Sequence, residues 1–139
     1  MSKLFTLLLL SVSSFLSAQN SNLNITVSGL KNNTGLLTAE LYNSKGKFLK
    51  TSYKIVSSAI KSNTVTVTFI GIPKGEYTPM VYHDENNNGK LDKNFIGIPK
   101  EPVACSNNAK GFMGPPKYDD AKFIIIADTK MNIKMTAAH

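Results

Sequence analysis

The sequence predicts an all-β protein, folded as a single antiparallel sandwich of about seven strands with a long irregular insertion between the late strands. Three observations lead there. Short stretches of alternating apolar and polar residues recur along the chain, Asn-, Gly- and Pro-rich segments punctuate them, and no stretch sustains a helical period. Residues 23–27 place Leu23, Ile25 and Val27 on one strand face, and residues 36–42 repeat the pattern. Between them, Lys31, Asn32, Asn33, Thr34 and Gly35 supply turn chemistry, which makes a hairpin the simplest connection. Residues 53–56 form a weaker strand. Residues 64–69 alternate most cleanly, with Val65, Val67 and Phe69 opposite three threonines, and a partner strand is expected to follow closely. Residues 76–83 put Tyr77, Pro79 and Val81 on one face. Pro79 has no N–H to donate, so it belongs where that group would have pointed to solvent, or at a bulge, which argues against a regular central strand. Strands at 122–127 and 131–135, separated by Asp128, Thr129 and Lys130, complete the set. The expected core comprises Ile25, Val27, Leu37, Val65, Val67, Phe69, Tyr77, Val81, Phe123 and Ile125.

The first 18 residues read as an export signal. Lys3 precedes an apolar run over residues 4–10, and a segment of small residues leads to Ala18, after which cleavage is expected. Ser11, Ser13 and Ser14 break the run well short of the ~20 apolar residues that span a bilayer, so no transmembrane segment is expected. No Cys lies near the cleavage point to accept a lipid. Residues 19–139 then form one domain, with a periplasmic or extracellular address. The lone thiol, Cys105, excludes an internal disulfide and is read as a buried free cysteine, with an intermolecular disulfide as the alternative. The formal charge is +7, yet all 16 basic residues are lysines dispersed along the chain. Without Arg to grip phosphate or guanine bidentately, nucleic acid is a poor partner and the charge reads as solvated surface.

Residues 84–121 hold few alternating apolar positions, and an irregular stretch of that length is usually functional, disordered or held by something specific. Within it, Asp84, Asn86, Asn88 and Asp92 occupy relative positions one, three, five and nine, Gly89 stands at six, and Lys90 offers its carbonyl at seven. This is the first part of an EF-hand calcium loop, in which alternate oxygens turn inward around a glycine bend. Position twelve, however, is Phe95 rather than a bidentate Glu, and no helices flank the loop. A calcium ion would need a further donor, with Glu101, Asp119 and Asp120 as candidates, and would bind with a Kd of ~10⁻⁴–10⁻³ M. The alternative is a metal-free connection held by side chain to backbone hydrogen bonds. Further along, Ser106, Asn107, Asn108 and Tyr118 set polar groups beside an aromatic ring. They make either a surface for a glycan or peptide or an ordered cover over the end of the sandwich.

A catalytic reading would use His83 as base and Ser106 as nucleophile. Adjacent strand residues point to opposite faces, so Asp84 does not orient His83, and no nucleophile-elbow motif surrounds Ser106. A zinc enzyme needs about three protein ligands, and the only other histidine is His139.

Taken in order, His83-Asp84-Glu85-Asn86, Asn88-Gly89-Lys90-Leu91-Asp92, Asn94-Phe95, Gly97-Ile98-Pro99-Lys100-Glu101, Ser106-Asn107-Asn108-Ala109 and Gly114-Pro115-Pro116 resemble a family of small exported bacterial proteins, domain of unknown function 2141. The resemblance covers nearly all of the chain beyond the signal. It implies a transthyretin-like (prealbumin-like) β-sandwich and no established activity. Members often carry an aromatic residue where Cys105 stands. The hydroxyisourate hydrolases of similar fold use His, Arg and a terminal Tyr-Arg-Gly-Ser, whereas this sequence has no Arg and ends Thr136-Ala137-Ala138-His139. The resulting expectation is an exported, non-enzymatic binding or structural module for an envelope or extracellular glycan or protein, with a weakly calcium-ordered loop. The alternative is a small periplasmic hydrolase built on His83 and Ser106.

Overall fold

The computed structural model describes residues 19–111 and 115–135; the expected signal peptide at 1–18, Gly114 and His139 lie outside them. Among the described residues there are eight strands: β1 (Ser21–Ser28), β2 (Leu36–Tyr42), β3 (Lys54–Ala59), β4 (Val65–Ile72), β5 (Gly75–Asp84), β6 (Val103–Cys105), β7 (Phe123–Ile125) and β8 (Thr129–Lys134). Among the same residues a short helix, α1 (Tyr118–Ala121), and 3₁₀ turns at Lys45–Lys47 and Ser106–Asn108 join them. The strands form two sheets, ordered β4-β1-β8 and β3-β2-β5-β6, with β7 also on β5.

Alternation decides which side chains enter the space between the sheets. Leu23, Ile25 and Val27 of β1, Val65, Val67 and Phe69 of β4, Leu37, Ala39 and Leu41 of β2, Tyr77 and Val81 of β5 and Ile133 of β8 share one buried cluster. Of the expected core, all but Phe123 belong to it, and Phe123 packs partly buried against its margin. On the outer face of the three-stranded sheet, polar side chains pair across strands: Thr26 with Thr66 at 2.9 Å, and Thr68 donating to Asn24 at 2.6 Å.

Connectivity departs from the simplest reading in three places. Residues 31–35 do not close a hairpin, because β1 lies in one sheet and β2 in the other. The segment crosses between sheets and abuts the end of β5, where a Cβ on Gly35 would lie 2.0 Å from the Asp84 carbonyl oxygen. β4 pairs not with the strand that follows it but with β1, Ile25 opposite Val67. The last strand, β8, runs parallel to β1, Ile25 opposite Met131, so the sandwich is not purely antiparallel. A parallel neighbour needs a long crossover, and the whole chain between β1 and β8 provides it.

The stretch expected to be irregular is divided by β6. Both β6 and β7 pair with β5 in the same direction: Tyr82 and Met80 face Val103 and Cys105, and Tyr77 and Gly75 face Phe123 and Ile125. They are two pieces of one edge strand, interrupted by an excursion at 106–122. Pro79 sits opposite this interruption. Its partner on β2, Leu41, turns its carbonyl to β3, where it accepts from the Tyr53 N–H at 2.7 Å. Pro79 therefore directs its donorless nitrogen away from β2, into the break between β6 and β7, and a proline is accommodated in an interior strand.

Candidate functional site

The outer face of the β5 sheet is covered by loops. Tyr42, Met80, Tyr82, Cys105 and Ala121 form a second buried cluster there, with Phe48, Leu49, Leu91, Val103 and Ala109 packed against it. The candidate residues lie in this layer or beside it, because β5 ends at Asp84 and the chain turns back over the sheet.

Asp84 organises the first loop. It is fully buried, and its two carboxylate oxygens accept the N–H groups of Asn88 at 3.1 Å and Gly89 at 2.9 Å. The bend uses positive φ at Asn87 and Gly89. Asn86 and Asn88 donate their side-chain amides to the two oxygens of Asp92, at 2.6 and 2.7 Å. Those donors, Asn88 first, hold the Asp92 carboxyl below its ordinary range. Lys90 stands exposed at the turn. Thus Asp84, Asn86, Asn88, Lys90 and Asp92 do occupy one compact turn.

A buried carboxylate, Glu101, also lies against this turn. Phe95 is fully exposed, whereas Glu101 is buried and accepts from the Glu85 and Asp92 N–H groups, both at 3.2 Å. Burial, followed by the charges of Asp92 and Asp84, holds the Glu101 carboxyl above its ordinary range. Among the described residues neither Asp84 nor Glu101 has an ion-pair partner. Asp119 lies on the other loop, paired with Lys45 at 2.7 Å and Lys122 at 3.3 Å, and neighbouring Asp120 is bound through its carbonyl by Asn107. Among the described residues, no three His, Cys, Asp or Glu side chains form a metal-ligating group; the donors gathered here are carboxylate, amide and main-chain oxygens.

The second loop is the excursion at 106–122, and it is stapled at its base. Ser106, fully buried, donates its hydroxyl to the Ala121 carbonyl. Asn107 reaches the carbonyls of Asp120 at 3.3 Å and Lys122 at 3.1 Å. Tyr118 is buried, its ring edge-on to Phe48 at 5.7 Å. Of the four residues proposed as a ligand surface, only Asn107 and Asn108 are exposed, and Asn108 lines a groove with Val103, Ala104, Ala109, Lys110 and Lys134.

His83 points into the sandwich, fully buried. Its Nε2 lies 2.6 Å from the Thr34 carbonyl, which can only accept, so Nε2 carries a proton; Nδ1 has no partner among the described residues. His83 and Ser106 share no hydrogen bond.

Sequence reasoning grouped Asp84, Asn86, Asn88 and Asp92 around one bend and left Glu101, Asp119 and Asp120 unranked as further donors. It also missed Gly35, whose signal was a positive-φ glycine read as a hairpin residue. No curated protein and no solved structure matches the chain. The family comparison matches residues 25–134 to a family described as an uncharacterized protein conserved in bacteria, DUF2141. That match spans the sandwich from β1 to β8 and both loops, and the chain belongs to this bacterial family.

Proposed function

We propose that this protein is an exported, non-catalytic binding or structural module whose 84–101 loop is ordered by a weakly held calcium ion. The observation that carries the reading is a single turn whose hydrogen bonds involve Asp84, Asp92 and Glu101 together with Asn86 and Asn88, while among the described residues no lysine pairs with buried Asp84 or Glu101. Hard oxygen donors in such number suit calcium. Asn86 and Asn88 now turn their NH₂ groups to Asp92; a half-turn of each amide would present its oxygen instead. The ion must displace two good hydrogen bonds to bind, which accords with weak affinity.

The non-catalytic part rests on the burial of His83 and Ser106 and on their hydrogen bonds to main-chain carbonyls, which leave neither group facing a substrate. Envelope glycans or proteins remain the proposed partners.

Calorimetric titration of calcium into chelator-treated protein tests the ion. Binding at tenfold excess over Kd should stabilise the fold by about 1.4 kcal/mol, and Asp92→Asn should reduce both the heat and the rise in melting temperature. Absence of both effects in the native chain refutes the calcium reading and leaves the hydrogen-bonded turn.

A further inference from the structure

At the far end of the same loop, residues 93–99 close into a small tip. Lys93 bridges Pro99, the Asn94 N–H donates to the Ile98 carbonyl at 2.9 Å, and the Gly97 N–H donates to the Asn94 carbonyl at 3.0 Å. The Asn94 side chain caps the turn from within, accepting from the N–H groups of Ile96 at 3.0 Å and Ile98 at 2.9 Å. Gly97 takes φ +85°, which other residues rarely adopt. This tip displays apolar side chains outward: Phe95 is 100% exposed, Ile96 64% and Ile98 53%. Lys90, Lys93 and Lys100 stand exposed around them, and among the described residues none is within ion-pair distance of a carboxylate.

Three exposed large apolar residues on one fixed turn mark an interaction surface. Its size and charge select the partner. A stable protein interface buries about 800 Å² on each side, far more than a five-residue tip provides, and this argues equally against a second copy. A bilayer surface needs only a few apolar side chains at the headgroup boundary, with lysines beside them whose stems lie along apolar surface while their charges meet anionic headgroups. Without Lys3 of the expected leader the formal charge is 7 − 1 = +6, which adds long-range attraction to such a surface.

We propose that the 94–98 tip docks this protein reversibly on an anionic lipid bilayer, Phe95, Ile96 and Ile98 entering the headgroup boundary and Lys93 and Lys100 contacting the headgroups. The proposal goes beyond the calcium reading and does not rest on it.

Co-sedimentation in chelator separates them, using residues 19–139, because an apolar leader would itself bind lipid and the folded core lies within this span. Vesicles of phosphatidylcholine with phosphatidylglycerol should bind the chain, and pure phosphatidylcholine should bind it far less. Phe95→Ser with Ile96→Ser should lower binding about tenfold or more, and Lys93→Glu with Lys100→Glu should remove the preference for anionic vesicles. Ile124→Ser, an exposed isoleucine on β7, should bind like the native chain. These side chains lie outside both cores, so circular dichroism should be unchanged. No binding by the native chain, native-like binding by the tip variant, or an equal loss in Ile124→Ser overturns the proposal. So does a dimer in sedimentation velocity that the tip variant abolishes, which would assign the tip to a second copy.

Discussion

Replacing Ser106 by Ala tests whether the excursion at 106–122 is stapled to the sheet. The hydroxyl is fully buried and donates to the Ala121 carbonyl, so its removal leaves that acceptor without its hydroxyl partner and creates almost no cavity. The lost bond and the exposed desolvation cost together amount to about 1–3 kcal/mol. With about 2.1 cal/mol/K of unfolding entropy per residue, that lowers the melting temperature by about 4–12 °C for a domain of this size. Differential scanning calorimetry measures the shift. Hydrogen exchange then locates it: the amides of β6 and β7 should lose protection while those of β1 and β4 keep theirs, since the latter belong to the other sheet. An unchanged melting temperature, or loss of protection spread evenly over both sheets, would refute the assignment of Ser106 as the staple.

Gly35→Ala should destabilise the fold by about 2–5 kcal/mol in denaturant titration, because φ is +71° and the added Cβ meets the Asp84 carbonyl oxygen at 2.0 Å and Glu85 main-chain atoms at 2.9 Å. Phe69→Ala should cost about 3–5 kcal/mol, since the ring is 1% exposed between the sheets. Burial pushes the Cys105 thiol up from 9.0 to about 12, so iodoacetamide at pH 8 should label it only after unfolding. Because the folded value is the higher one, the stability this thiol leaves intact below pH 9 is lost as pH rises toward 12; Cys105→Ala should remove that part of the alkaline decline.

The inner core was legible because a period of two depends only on neighbours along the chain: Val65, Val67 and Phe69 had to face one way whatever lay opposite. Partner choice was not. Asn32, Asn33 and Gly35 announce a change of direction, but whether the chain returns to the same sheet depends on what else must be covered, and here it crosses over to close the end of β5. The outer cluster was half visible. Alternation with Val81 sets Met80 and Tyr82 on the second face of their strand, yet nothing local tells that Leu91, Ala109 and Ala121 return to bury them. At the candidate site, the spacing of Asp84, Asn86, Asn88 and Asp92 foretold the compact turn because those contacts span few residues. Glu101 was one carboxylate among three, and only the pairing of β5 with β6, which brings Pro102 to His83, returns the chain to the loop beside Asp92.

The interrupted edge strand has a consequence for how this protein tolerates change. Ser106 and Asn107 tie the start of the excursion to Ala121 and Lys122 at its end, so the two pieces of strand stay in line whatever length of chain runs between them. Closing a longer loop adds only about 0.6 kcal/mol for each doubling of its length. The exposed link between Lys110 and Gly111 is therefore a natural graft point: sequence inserted there should alter what the molecule presents to its surroundings while leaving the sheet register, and both hydrophobic clusters, as they are.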